Sequence, residues 1–321
     1  MKSIKLKSIN ALYAIHGSAD ILDQIADTVD PFLEPVPLSS AGDCWSIHIE
    51  ETGSVSPGPD SEPNVDWQVA DRRVNIVGSS NWVSTFTNRY IRTLDRIAAM
   101  MAGWRPVHGA AVTVAGRGVV IVGDKFAGKT TAALSLVRSR GGEFISNDDT
   151  MLALTDRVRA MGTSRSIGVR IGSLAEHRPA LPLDDLARAA RLHPANVAVP
   201  TAEKIFLSPS ELPAIGGRAA PTMRVDALVE LRCSTAAAGV MHRIPAGQAA
   251  ELVEKHVERY PDRNRHGFIS DLGISFPSMD DTAQLISHNV DIFEFDHPRS
   301  GWVEQFLREM DKVMFSAVES S

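Results

Sequence analysis

Cysteine is scarce in this chain of 321 residues: there are two, Cys44 and Cys233, far apart and outside any metal-ligand spacing. No zinc pattern exists, a disulfide between the two is not expected, and a reducing compartment is the default. No apolar run is long enough to span a bilayer. The basic start, Met1 to Lys7, is followed by no apolar core of the kind a secretory signal needs, so a cytoplasmic protein is expected. Excess positive charge is absent too. Lysine and arginine number 33 against 39 acids, a net charge of −6, which favours neither nucleic acid nor an anionic membrane surface as a partner. Internal repeats and heptads are missing, and the one biased stretch, Thr52 to Asn64, reads as a loop rich in glycine, proline, serine and acid. What remains has the 44% hydrophobic and 22% charged content of a globular protein, with length enough for one large or two ordinary domains.

The strongest positive signal is a nine-residue run: Gly123, Asp124, Lys125, Phe126, Ala127, Gly128, Lys129, Thr130, Thr131. It fits G-x-x-x-x-G-K-[ST] without a gap. An apolar β-branched run, Gly118 to Val122, precedes it, and a segment of helical spacing, Thr131 to Val137, follows. Strand, loop and helix in that order are what a phosphate cradle needs, because N–H groups at a helix N-terminus attract anions. Lys129 would then reach the β- and γ-phosphates of ATP, and the Thr130 hydroxyl would ligate Mg²⁺.

About twenty residues on, a predicted strand Glu143–Ser146 runs into Asn147-Asp148-Asp149. Carboxylates at a strand end can bind Mg²⁺ or take a proton from an attacking hydroxyl. Side chains alternate along extended chain, so Asp148 and Asp149 must point apart, one to the nucleotide and the other to a helix or a partner. His108 opens a predicted strand, Val107–Val114, beside the motif strand, which would bring its imidazole near the phosphates.

Elsewhere the pattern is coarser. Lys5–Ile15, Trp45–Ile49, Trp67–Val69 and Arg73–Val77 read as strands, and Ser18–Val29 as a helix. A helix over Asn81–Met101 has Phe86, Tyr90, Leu94, Ile97 and Met101 on one face. Its arginines, Arg89, Arg92 and Arg96, read as solvated. Hairpin strands are expected at Met151–Leu154 and Val158–Met161, and strands at Ile167–Ile171, Lys204–Leu207 and Ala227–Leu231. Helices are expected at Leu183–Ala190, Ala249–Arg259 and Trp302–Met314. Arg170, Lys204 and the cluster Arg259, Arg263 and Arg265 are weaker candidates for gripping an anion.

Together these parts resemble the HPr kinase/phosphorylase family. The likeness runs from Val107-His108-Gly109 through Gly116-Arg117-Gly118, the loop at Gly123–Thr130, Ala132–Leu136 and Phe144–Asp149, about 45 residues. The resemblance implies a P-loop fold shared with ATP-dependent phosphoenolpyruvate carboxykinase, and ATP- and Mg²⁺-dependent phosphorylation of a serine hydroxyl, in proteins that are often oligomers. It places His108 beside the phosphates and a proton-accepting aspartate after the strand. Aligned without a gap, Asn147 falls on that aspartate, and an amide cannot accept a proton at neutral pH. A one-residue shift restores the pair, so the base is Asp148 or Asp149. Lys125-Phe126 replaces the family's usual Ser-Gly, and the later block tied to the phosphorylase reaction is not recognisable near Arg170.

The architecture expected is therefore α/β: a mixed-sheet P-loop nucleotide domain over residues 102–321, preceded by a small α+β domain over residues 1–101 whose role is unknown. The activity expected is transfer of the γ-phosphoryl of ATP to a hydroxyl of a peptide, a protein or a small molecule, with Lys129, His108 and Asp148 or Asp149 as the catalytic groups and Thr130 and Asp148 as the metal ligands. A nucleotide-binding regulatory module without phosphotransfer is the alternative.

Overall fold

Alternating apolar residues near the N-terminus build a half-buried sheet. The computed structural model describes residues 1–53, 62–154, 157–170, 196, 204–234, 239–258 and 282–315. The first sheet has six strands: β1 (Lys2–Lys7), β2 (Leu12–Gly17), β3 (Glu34–Pro35), β4 (Cys44–Glu51), β5 (Asn64–Gln68) and β6 (Arg73–Gly78), in the order β3-β1-β2-β4-β6-β5. Helices α1 (Ala19–Val29) and α2 (Ser80–Met101) pack on one face of it. Tyr13, Ile15, Ile47, Val74 and Ile76 from the sheet meet Ile25 of α1 and Phe86 of α2 in one core. The Ser18 hydroxyl accepts from the Ile21 N–H and starts α1.

The single strand expected over Lys5–Ile15 is instead a hairpin. Ser8 turns the chain: its N–H donates to the Ala11 carbonyl, and its hydroxyl accepts from the Ala11 N–H, both at 2.9 Å. On α2 the expected apolar face holds for Phe86, Tyr90, Leu94 and Ile97, whereas Met101, in the last turn, is 56% exposed.

The second half is a mixed α/β assembly. Its strands are β7 (Arg105–Val107), β8 (Gly109–Val114), β9 (Arg117–Gly123), β10 (Glu143–Ser146), β11 (Thr150–Leu154), β12 (Val158–Met161), β13 (Ile167–Arg170), β14 (Lys204–Leu207), β15 (Arg218–Ala219), β16 (Thr222–Arg224), β17 (Ala227–Cys233), β18 (Val240–Arg243) and β19 (Asp291–His297). A seven-stranded sheet runs β15-β10-β8-β9-β17-β19-β18, a four-stranded one β16-β12-β11-β7, and β13 and β14 form a two-stranded ribbon. In the larger sheet β9, β17 and β19 are mutually parallel, and β8 and β10 run against them.

Both faces of β9 are covered, which is why its sequence is an unbroken apolar run. Val119 and Ile121 pack under α3 (Lys129–Arg140) and the C-terminal helix Val303–Phe315. Val120 and Val122 face the four-stranded sheet, α4 (Ala246–His256) and α5 (Thr282–Asn289). Gly141, left-handed at φ 62°, caps α3 as its position after the last apolar residue predicts.

The strand expected over Val107–Val114 is broken at His108, and its two pieces belong to different sheets. Gly109 permits the corner: a β-carbon there would lie 2.9 Å from the Ile121 carbonyl oxygen. The helix expected over Ala249–Arg259 begins at Ala246 and ends at His256. The helix expected over Leu183–Ala190 and the cluster at Arg259, Arg263 and Arg265 lie outside the described residues, as does most of the Thr52–Asn64 loop. Cys44 and Cys233 form no disulfide. Among the described residues no helix is long and apolar enough to cross a membrane.

Asp95 lies on the buried side of α2, where its carboxylate accepts from the Ser8 hydroxyl. Burial raises its pKa from 3.8 to about 6. The folded chain therefore holds this proton more tightly than the unfolded chain, and stability falls as pH rises through that window, by up to about 3 kcal/mol. Asp95→Asn is expected to raise the melting temperature at pH 8, with the advantage shrinking as pH falls below 6. A variant equally displaced from wild type at pH 4 and pH 8 contradicts this.

Candidate functional site

The parallel strand β9 ends at Gly123, and a loop of five residues carries the chain into α3. Glycine is needed at both ends of that loop. Gly123 sits at φ 146°, where a β-carbon would come within 2.6 Å of the Leu231 carbonyl oxygen. Gly128 sits at φ 89°, and a β-carbon there would meet the Trp302 ring at 2.5 Å. The loop is thus pressed on a floor made by Trp302 and His297, whose rings lie 4.4 Å apart, and His297 Nε2 donates to the Ala127 carbonyl at 3.1 Å. Ala127 itself is buried in the core under the loop.

Above the loop lies a cavity of about 710 Å³, within the range of small-molecule sites. Gly123, Asp124, Lys125, Phe126 and Gly128 line it, as do Lys129, Thr130 and Thr131 at the start of α3. Lys129 is buried, and its ammonium donates to the carbonyls of Gly123 at 2.7 Å and Asp124 at 3.1 Å. The Thr130 hydroxyl donates to Asn147 Oδ1 at 2.7 Å. Phe126 stands at the mouth, 67% exposed and left-handed at φ 73°.

The turn after β10 separates the two aspartates. Asp148, at φ 67°, lines the cavity with a side chain 25% exposed. Asp149 points the other way, 1% exposed, into three arginines: Arg165 at 2.7 Å, Arg96 at 2.8 Å and Arg92 at 3.4 Å. Burial alone would raise the Asp149 pKa, but Arg165, Arg96 and Arg92 together hold it well below the carboxylate range. Burial also pulls the Arg92 guanidinium down to about 10 against the attraction of Asp149, which still leaves it charged at neutral pH. Asp149, an expected alternative base, is therefore off the cavity and a poor proton acceptor. The α2 arginines Arg92 and Arg96, read as solvated, are its partners, Arg96 buried and Arg92 partly so.

His108 reaches the cavity from the corner between β7 and β8. Pairing of Thr150 with Val107 across β11 and β7 draws the aspartate turn against that corner, and the Thr150 hydroxyl donates to the Gly109 carbonyl at 2.8 Å. His108 Nδ1 then lies 3.3 Å from the Asp148 carbonyl and 4.0 Å from the Glu258 carboxylate. Glu258 in turn accepts from Arg96 at 2.9 Å. So His108, Lys129, Thr130 and Asp148 come together on one cavity, and Asp149 does not.

Several residues on the site carry no sequence motif. Arg165 bridges Asp149 and, at 3.4 Å, Asp148. Glu230, buried in β17, accepts from His256 and Lys255, each at 2.8 Å, and Lys255 lies 3.5 Å from Asp124 of the loop. Burial works against the Glu230 charge, but His256 and Lys255 bring its pKa down to about 2. A carboxylate inside the apolar run Ala227–Leu231 was the one legible sign of this group. Among the described residues no cluster of three or more histidines, cysteines or acids forms a metal site. Thr130 and Asp148 bring oxygens to the cavity beside the loop, as do Asp124 and Glu258.

No protein-family model matches the chain, and no curated protein matches it. Among solved structures, the HPr(Ser) kinase/phosphatase from Coxiella burnetii aligns over 68% of this chain and 99% of its own, with 9% sequence identity and a TM-score of 0.33. At that score the likeness supports no inference about activity.

Asp149→Asn leaves the nearly buried Arg96 and the partly buried Arg92 and Arg165 short of their counter-charge. Breaking such a cluster costs roughly 3–5 kcal/mol, and a clear drop in the urea midpoint at pH 7 is expected. The wild-type advantage should fade as pH falls below the ordinary carboxylate range, because a depressed pKa stabilises only where the carboxylate stays charged. An unchanged midpoint at pH 7 contradicts the buried cluster.

Proposed function

We propose that this cavity binds ATP and transfers its γ-phosphoryl group to the hydroxyl of an acceptor. The observation that carries the reading is the convergence of Asp148 and His108 on the cavity floored by the Gly123–Thr131 loop. The N–H groups at the start of α3 and the Lys129 ammonium would hold the phosphates and offset charge as it moves onto the leaving oxygen. Asp148 keeps a partly exposed carboxylate on the cavity. It would orient the acceptor hydroxyl and take its proton as the new oxygen–phosphorus bond forms and the bond to ADP breaks. His108 adds a polar group beside the transferring phosphoryl.

The residues present fit a magnesium ion, since Thr130 and Asp148 offer hard oxygens on the same cavity. When bound there, Mg²⁺ would neutralise charge on the phosphate oxygens. A carboxylate has two oxygens, so Asp148 can serve the cation with one and the acceptor with the other. The acceptor is a serine of a peptide or protein, or a small hydroxylated molecule. A regulatory module that binds nucleotide without transfer is the second reading, favoured by one contact: the Thr130 hydroxyl, the expected cation ligand, is taken up by the Asn147 amide.

Incubation with γ-labelled ATP and candidate acceptors separates the two. On the kinase reading label moves to an acceptor. Lys129→Ala abolishes nucleotide binding, and Asp148→Asn lowers transfer by about 10²–10⁴ while still binding ATP. Label that leaves ATP only as slow background phosphate, with wild type and Asp148→Asn alike, removes the kinase reading and leaves the regulatory one.

A further inference from the structure

The ribbon β13–β14 forms another wall of the same cavity, and its chemistry is unusual. Its strands are antiparallel with Arg170 directly opposite Lys204. Ile167, Val169 and Leu207 turn into the core. Alternation therefore sends Gly168, Arg170 and Lys204 to the opposite face, and all three line the cavity. Like charges facing each other across a strand pair are destabilising. Among the described residues neither cation has a salt-bridge partner.

Two features hold this arrangement in place. A β-carbon at Gly168 would lie 2.0 Å from Lys204 Cε, so the lysine crosses the ribbon only because that position is glycine. The Arg170 guanidinium lies over the Phe126 ring, 4.6 Å from its centre. Phe126 keeps that ring at the cavity mouth from a left-handed backbone, a conformation that a residue with a β-carbon seldom adopts. Lys204 is close enough to the aspartate turn to be influenced by it: burial and then Arg165 lower its pKa, Asp148 opposes them, and Arg170 adds to the lowering.

We propose that Arg170 and Lys204 form an anion subsite for the acceptor, so that the hydroxyl receiving the phosphoryl group belongs to a molecule that also carries a carboxylate or phosphate. This rests on the kinase reading above. Two crowded cations without an ion-pair partner among the described residues are satisfied by an anion that both can reach. The nucleotide phosphates already have the loop N–H groups and Lys129. Lys204 instead lies within electrostatic reach of Asp148, the group that would orient the acceptor. A guanidinium platformed on an aromatic ring suits a planar carboxylate or a phosphate, which it can hold through two N–H groups.

The test is titration of inorganic phosphate into the full chain saturated with AMP-PNP and Mg²⁺. Phosphate is expected to bind with nucleotide in place. Arg170→Gln and Lys204→Gln should each weaken it about tenfold or more, with AMP-PNP affinity unchanged, and Arg170→Lys should retain most of it. Both glutamine variants should melt no lower than wild type, since a like-charge opposition is relieved. Phosphate binding that is absent, or insensitive to both variants, overturns the proposal. So does phosphate that competes with AMP-PNP while the variants lose AMP-PNP affinity, because the pair then belongs to the nucleotide. Wild type that binds no AMP-PNP sinks the kinase reading and the acceptor assignment with it, whereas AMP-PNP binding without phosphate binding sinks the subsite alone.

Discussion

One buried carboxylate sets the geometry of the site. Asp149 is enclosed by guanidinium groups from α2 and from the segment after β12. An isolated charge at that depth is very unfavourable, so its arginines cannot be dispensed with once it is there. Fixing Asp149 inward leaves Asp148 the opposite direction, onto the cavity. It also ties α2, which packs on the N-terminal sheet, to the strand end that carries Asp148. The same arginine that grips Asp149, Arg96, also grips Glu258 beside His108. The positions of Asp148 and His108 thus depend on a common ionic cluster behind them.

The loop is governed by packing rather than charge. Gly123 and Gly128 mark the two places where backbone or ring comes too close for a side chain. The floor under them comes from β19 and Trp302, the latter at the edge of the C-terminal helix. Lys129 and Thr130 meanwhile satisfy their hydrogen bonds within the protein, on the loop carbonyls and on Asn147. On the proposed reading those bonds exchange for phosphate and cation contacts when nucleotide binds.

Local features were legible in the sequence because local physics makes them. The loop flanked by strand and helix, the glycine stop of α3 and the divergence of Asp148 from Asp149 all follow from spacing within a few residues. What escaped depends on distance along the chain. Arg92 and Arg96 look like surface residues until Asp149, 53 residues beyond Arg96, is folded against them. The break at His108 is hidden because the apolar pattern continues through it, and only the Ile121 carbonyl shows why the strand must turn. The opposition of Arg170 and Lys204 needs the register of a ribbon whose strands are separated by many residues.

The central claim is that a nucleoside triphosphate occupies the cavity with its γ-phosphate toward Asp148. A crystal structure with Mg²⁺ and AMP-PNP tests it most directly. The account predicts the triphosphate in the Gly123–Thr131 loop, the Asp148 carboxylate on the γ-phosphate side, and Asp149 still enclosed by Arg92, Arg96 and Arg165. Nucleotide bound elsewhere, or Asp149 turned into the cavity in place of Asp148, would contradict it.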